Sequence, residues 1–308
     1  RRVVNSCALA MVVSCLVMLY GCAEPVVEGG DWPMWRYGAN RVAATPHGLP
    51  DQLHLQWVHH YTPQKPTWDD PLNQDLMQFG KVREPVVVGG LLYLASSVND
   101  RVDALDVRTG KTRWSFYTNG PVRLPPVAED GRVYVVSDDG YLYCLDGRSG
   151  DLVWKFLGAP SERRIIGNER LISSWPARGG PVLADDVVYF AAGIWPFMGV
   201  FIYAVDATTG EEVWRSDNTG SKHMIQPHNA PSFGGVAPQG ALVVQGDKLL
   251  VPGGRSVPAV FDRHTGVMEY YHLSKYPGGA FTCALGDFFV NYHRDLSTTL
   301  FDLNTGNF

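Results

Sequence analysis

Cys144-Leu-Asp146-Gly-Arg-Ser149-Gly150-Asp-Leu-Val-Trp154 decides the fold, because the stretch recurs along the chain. Related copies read Ala104-Leu-Asp106-Val-Arg-Thr109-Gly110, Ala204-Val-Asp206-Ala-Thr-Thr209-Gly210, Val260-Phe-Asp262-Arg-His-Thr265-Gly266 and Leu300-Phe-Asp302-Leu-Asn-Thr305-Gly306. Trp114, Trp154 and Trp214 stand eight residues after the aspartates of three copies, and Tyr270 takes that place in a fourth. Self-similarity at a period of about 40 residues marks a propeller or another repeat array. The aspartate and the threonine or serine are expected to bond to the turn backbone, with the glycine in the left-handed region. The tryptophan is expected to project from an outer strand onto the adjacent sheet. These residues are therefore read as blade cement and not as a catalytic site.

Working outward from Asp146, the unit divides into four strands: 126–128, 132–137, 141–146 and 151–156. Asp-Gly pairs at 130–131 and 139–140 mark the corners, since glycine accepts the positive φ of a tight hairpin. The runs are dense in Val, Tyr and Leu, as suits sheets covered on both faces. The chain has 308 residues with 33 glycines and 21 prolines, enough for one large all-β domain rich in turns. A net charge of -5 with scattered Lys and Arg excludes the basic stripe that nucleic-acid binding needs.

Residues 1–22 read as an export signal. Arg1 and Arg2 precede a mostly apolar run that ends at Leu19-Tyr20-Gly21-Cys22. That tetrapeptide resembles the lipobox of bacterial lipoproteins and makes Cys22 the expected lipidation site, with the folded part periplasmic or on the cell surface and lipid-anchored to a bacterial membrane. The rival reading is an uncleaved membrane helix, for which an apolar run of ~18 residues suffices. Residues 23–52 are read as a leader or linker and 53–308 as the repeat domain. Cys144 and Cys283 fall in strands of different repeats, where a bridge is not expected. No Cys/His metal spacing is present. His59-His60 reads as a solvated strand end and Trp68-Asp69-Asp70 as a surface loop.

The repeat Ala-x-Asp-x-x-Thr-Gly-x-x-x-Trp resembles the tryptophan-docking motif of pyrroloquinoline-quinone-like (PQQ-like) β-propellers, the quinoprotein alcohol dehydrogenase-like superfamily. That group includes periplasmic quinoprotein dehydrogenases and the propeller lipoprotein of the outer-membrane assembly machinery. Asp31-Trp-Pro-Met-Trp35-Arg-Tyr-Gly-Ala-Asn40-Arg41 is similar to the leader before the first blade of such proteins. The resemblance implies a β-propeller of four-stranded blades, of which the chain, read as a fragment, holds about five of an expected seven or eight. Leu53 to Tyr61, centred on Trp57, is expected to be an outer strand that closes the ring.

Successive signature aspartates are 40, 60, 56 and 40 residues apart, so two links carry insertions, Ser161–Gly180 and Ser221–Gly240. Long loops on a rigid scaffold are the usual seat of binding. These insertions and the loops between second and third strands are expected on one face. The candidate ligand-binding residues there are Arg101, Trp175, Arg178, Trp195, His228, Asn229, Arg255 and His293, a set of aromatic, Arg, His and Asn groups suited to a polar small molecule or a peptide. The same residues also suit a bland role, packing loops and satisfying carbonyls.

Two function classes follow, with a third beside them. The first is a membrane-anchored binding module for a protein partner or polar small molecule, with no cofactor or metal assigned. The second, implied by the resemblance, is a quinoprotein oxidoreductase using PQQ with Ca²⁺; such enzymes often carry adjacent cysteines in the cofactor cage, and none occur here. The third is a sensor or substrate-binding domain joined to another domain.

Overall fold

Tight corners set the sheet geometry. Gly89-Gly90, Asp130-Gly131 and Asp185-Asp186 each place two consecutive residues at positive φ, the type I′ geometry that matches strand twist. The computed structural model describes residues 30–63, 83–167, 170–225, 229–253, 256–272, 278–292 and 298–308. Residues 1–22, read as an export signal ending at Cys22, and Trp68-Asp69-Asp70 lie outside the described residues.

Blade 1 is β1 (Val86–Val88), β2 (Leu91–Ser96), β3 (Arg101–Asp106) and β4 (Thr112–Tyr117). Blade 2 is β5 (Val127–Glu129), β6 (Arg132–Val136), β7 (Tyr141–Asp146) and β8 (Leu152–Leu157), within one residue of the boundaries expected from sequence. A hairpin follows, β9 (Arg164–Gly167) and β10 (Arg170–Ser173), before blade 3, which is β11 (Gly179–Ala184), β12 (Val187–Ala192), β13 (Phe201–Asp206) and β14 (Glu212–Ser216). One 3-10 turn, Pro196–Met198, separates β12 from β13. A second hairpin, β15 (Lys222–Ile225) and β16 (Pro231–Gly234), precedes the short β17 (Gly240–Ala241) and blade 4: β18 (Val243–Gln245), β19 (Lys248–Val251), β20 (Ala259–Asp262) and β21 (Met268–Tyr270). Blade 5 contributes β22 (Phe281–Leu285), β23 (Phe288–Tyr292) and β24 (Thr298–Asp302).

Within each blade the strands pair antiparallel in chain order. The inner strands of successive blades are neighbours, and β17 runs parallel to β11 through Gly179↔Gly240 and Gly180↔Ala241. Gly180 permits that approach, since a Cβ there would lie 3.1 Å from the Ala241 Cα, and Gly240, at φ 116°, lets the chain pass Ala280, whose carbonyl oxygen a Cβ would meet at 2.1 Å. Buried side chains fill the spaces between blades: Tyr93 and Val133 between blades 1 and 2, Tyr134, Phe190 and Phe261 across blades 2 to 4, and Phe289 and Phe301 between blades 4 and 5. The architecture is that of a β-propeller.

One contact repeats at every blade junction. In each signature the aspartate Oδ1 accepts from the two backbone amides that follow its neighbour and from the threonine or serine hydroxyl, as Asp206 does from Thr208 N, Thr209 N and Thr209 Oγ1. This holds the glycine at positive φ, where the preceding blade's indole lies flat against it. Trp114 donates from Nε1 to the Gly147 carbonyl at 2.9 Å, Trp154 to Ala207 at 3.3 Å and Trp214 to Arg263 at 2.8 Å. Tyr270 donates from its hydroxyl to Leu303 at 2.8 Å in the same way. A Cβ on Gly210 would sit 2.7 Å from the Trp154 ring, so no other residue fits beneath it.

Trp57 makes the same contact on blade 1, bonding to the Val107 carbonyl at 2.7 Å above Gly110. Its segment, Leu53 to Tyr61, is nevertheless not a strand. Among the described residues no ladder partner lies beside it, and its place on blade 1 comes from the Trp57 contact. His59 packs inward, with Nδ1 3.1 Å from the Gly110 carbonyl, and its ring lies against Tyr61. Cys144 is buried and Cys283 half-buried, in different blades, and both thiols are free.

Replacing Trp154 by Ala should lower stability by about 2–4 kcal/mol, since it empties a junction between two sheets. Gly210→Ala should cost at least about 1 kcal/mol through φ strain alone. Urea denaturation followed by far-UV circular dichroism measures both, and wild-type midpoints for the two variants would show that the junction carries no such weight.

Candidate functional site

The links between blades and the turns between second and third strands emerge on one face, opposite the signature turns. Five elements meet there: the two hairpins, the 3-10 turn Pro196–Met198, the corner Ser137–Gly140 of blade 2, and the mouth of the central axis.

Asp138 organises the corner. Its carboxylate is 1 % exposed and takes Arg123 Nε at 2.6 Å, Arg178 Nε at 3.0 Å and Arg178 Nη2 at 2.9 Å. Burial works to raise its pKa, but the two guanidiniums and their hydrogen bonds prevail and hold it below the ordinary carboxylate range. Removing the carboxylate would leave two buried cations unpaired, the costliest way to break such a group. Asp139 beside it accepts from Asn119 N, Tyr141 N and the Tyr143 hydroxyl.

The first hairpin is fastened to this corner. Ser173 N donates to the Asp138 carbonyl at 2.7 Å. Arg170 reaches the Ser97 and Val98 carbonyls, each at 3.3 Å, and pairs with the Asp100 carboxylate. Trp175, just beyond β10, donates from its indole to the Met198 carbonyl at 2.7 Å, and β16 of the second hairpin lies against the same 3-10 turn. Both insertions thus converge on one element.

The axis is filled by the chain's own leader. Trp32 pairs with Val87 of β1 in both directions. Ala128 N of β5 donates to the Pro33 carbonyl at 2.8 Å, Val244 N of β18 to Ala39 at 2.9 Å and Ala284 N of β22 to Asn40 at 2.9 Å. Arg41, 1 % exposed, bonds from Nε to Leu242 O at 3.0 Å, from Nη1 to Trp35 O at 3.0 Å and from Nη2 to Pro181 O at 2.8 Å. Residues 32–41 therefore contact all five blades at the innermost sheet positions. Arg36, Tyr37, Arg41 and Ala43 take positive φ to do so, a conformation that costs about 1–3 kcal/mol at each such residue and persists only where its surroundings enforce it.

Above the leader remains a recess lined by Trp35, Glu84, Leu124, Pro125, Gly240, Ala241 and Phe281. The Trp35 and Phe281 rings are 5.7 Å apart. It has room for roughly one water molecule. Burial, opposed by the nearby Arg41 charge, pushes Glu84 up to about 7, and burial, opposed by Glu84, brings Arg41 down to about 9.

The candidate residues read from sequence are placed as follows. Arg178 is not available to a ligand, because its guanidinium is spent on Asp138. The Trp175 indole N–H is taken by Met198. Arg101 pairs with Asp103 at 2.9 Å and lies against Tyr117, holding β3 to β4. Trp195 is half-buried at the start of the 3-10 turn, and Asn229 is exposed at φ 63°. His228, Arg255 and His293 lie outside the described residues. Sequence reasoning missed Asp138, Arg123 and Glu84, and it named the leader without placing it in the axis. The signal for the leader was present, since a stretch with Trp32, Trp35, Arg36, Tyr37 and Arg41 is too aromatic and too basic for a solvated linker.

A family model described as outer membrane protein assembly factor BamB matches residues 55–191. The dehydrogenase subunit of a quinone alcohol dehydrogenase from Gluconobacter oxydans is 31% identical over 148 residues, covering 44% of this chain and 19% of that one. The serine/threonine-protein kinase AfsK of Streptomyces griseus is 36% identical over 151 residues, covering 46% and 16%. The quinohemoprotein alcohol dehydrogenase of Comamonas testosteroni superposes with a TM-score of 0.61 at 18% identity, covering 90% of this chain and 48% of that structure. A europium-containing methanol dehydrogenase gives 0.60 at 17% identity, covering 90% and 57%. These matches span about a fifth of the curated relatives and about half of the solved structures. The chain is a β-propeller whose repeats are similar to those of the BamB family model and of the quinone alcohol dehydrogenase subunit.

Glu84 makes stability pH-dependent in a defined direction. Its folded pKa lies above the ordinary value of about 4.3, so folding takes up a proton between the two, and stability falls as pH rises from about 4.5 to about 7. Glu84→Gln should flatten that decline and be the more stable protein above neutrality, as read from urea midpoints across pH. An unchanged slope in the variant would contradict the assignment.

Proposed function

We propose that the chain is a binding module: a propeller held outside the cytoplasm that presents its hairpin-bearing face to a partner protein, with a lipid on Cys22 as the membrane anchor. A polar small molecule is the other ligand class suited to this face. The observation that carries the reading is the leader in the axis. Residues 32–41 occupy the innermost sheet positions of the blades, and the recess beside Trp35 and Phe281 has room for roughly one water molecule. Binding surface is concentrated instead on two built-out hairpins. The relatives support the separation of fold from activity, since similar repeats occur in proteins named as dehydrogenases and in one named as a kinase. The assembly-factor description of the matching family favours a protein partner and an outer-membrane setting.

A second reading, quinoprotein oxidoreductase with PQQ and Ca²⁺, draws on the 31% identity to the quinone alcohol dehydrogenase subunit.

Titration of the purified protein with the quinone and Ca²⁺, followed by alcohol-dependent dye reduction, separates the two. The binding reading expects no spectral shift and no turnover, whereas saturable turnover would replace it by the second. For the anchor, Cys22→Ser in the exported protein should move it from the membrane to the soluble fraction, and continued membrane association would refute lipidation there.

A further inference from the structure

Both insertions leave apolar side chains in water in a way that single exposed residues do not. Ile166 of β9 and Leu171 of β10 are direct cross-strand partners. His223 of β15 faces Phe233 of β16, their rings 5.4 Å apart, and Ile225 faces Pro231 two pairs further along. Phe197 sits on the 3-10 turn to which both hairpins are tied. Ile166, Leu171, Phe197, Ile225 and Phe233 are 54–84 % exposed. A two-stranded hairpin is marginal alone and gains stability when a face is covered, and a clustered apolar surface signals an interaction site where scattered residues do not. Among the described residues of the hairpins basic groups outnumber acidic ones. Against a net charge of -5, the hairpins display Arg163 and Arg164, both exposed, with Lys222 half-buried beside His223. Glu162, exposed and accepting from the Tyr141 hydroxyl, lies beside them, and Glu169, between β9 and β10, lies outside the described residues.

We infer that the two hairpins and the Pro196–Met198 turn form one docking surface for an extended partner segment that carries aliphatic and acidic side chains. The inference rests on the binding-module reading and names the partner's chemistry. Aliphatic side chains would cover the Ile166–Leu171 and Phe233–Ile225 pairs, and carboxylates would meet Arg163, Arg164 and Lys222 at the rim. Apolar burial supplies most of the affinity in such an arrangement, while the rim charges set partner choice and approach rate.

The test uses the whole chain and two fluorescein-labelled decapeptides, one alternating Asp with Val and Leu, the other with Lys in place of Asp. Fluorescence anisotropy should show saturable binding of the acidic peptide, about tenfold or more tighter than the basic one and weakened by salt. Phe233→Ser, and separately Arg163→Glu with Arg164→Glu, should each weaken binding about tenfold. Val213→Ser, at an exposed apolar position on β14, should leave it unchanged; circular dichroism checks that every variant folds. Equal affinity for both peptides, or indifference to Phe233→Ser, overturns the proposal. So does self-association, or binding to anionic phosphatidylglycerol vesicles, that Phe233→Ser abolishes while the acidic peptide fails to bind. If cross-linking in cells captures a partner protein equally with wild type and with these variants, this surface is wrong and the binding-module reading stands. Quinone-dependent turnover would instead remove the module reading and leave the peptide result as it is.

Discussion

An indole laid on a turn glycine is the contact on which the rest of the structure depends. Each signature turn does two things at once: its aspartate and hydroxyl fix the glycine's positive φ, and the carbonyl following the aspartate is left aimed at the next ring. The same carbonyl position, occupied by Val107, Gly147, Ala207, Arg263 and Leu303, accepts at every junction. An N–H or O–H that would otherwise be buried without a partner is satisfied there, at a site where aromatic burial is largest. Because each blade binds the next through an identical contact, the angle between blades is repeated and the inner strands are brought to a common centre.

That centre is narrow, and its inner strands present backbone groups with no ladder partner on the axial side. Val87, Ala128, Val244 and Ala284 all find theirs in the leader. Arg41 extends the logic to carbonyls, with one guanidinium serving three of them from separate elements. Burying a cation there is costly, which its lowered pKa records, and the half-buried Glu84 carboxyl is the opposing charge. The leader is thus the piece that completes the inner rim. The two hairpins lie outside the five sheets of the ring, and the proposed recognition rests on them.

The propeller was legible in the sequence because its determinants are local. Asp146-Gly-Arg-Ser149-Gly150 and its copies specify their own turns, and the boundaries of β5 to β8 follow from Asp-Gly corners and a period of two. The site was not legible in the same way, because its contacts are between residues far apart in the chain. Arg178 and Trp175 looked like ligand groups since arginine and tryptophan in a long loop have that composition, yet their partners, Asp138 and the Met198 carbonyl, lie 40 and 23 residues away. The hairpins were hidden for another reason: Arg164–Gly167 and Pro231–Gly234 are too short, and the second too rich in Pro and Gly, to show alternation. Trp57, at the centre of Leu53 to Tyr61, makes the outer-strand side-chain contact on blade 1.

The account stands on residues 32–41 being an integral part of the ring. Amide hydrogen exchange at Val87, Ala128, Val244 and Ala284, compared between the wild-type protein and Arg41→Ala, measures this directly. Strong protection of all four amides in the wild type, with loss at Val244 and Ala284 when the guanidinium is removed, is the expected result. Exchange of these amides at solvent-exposed rates in the wild type would contradict it and return the axis to the list of open binding sites.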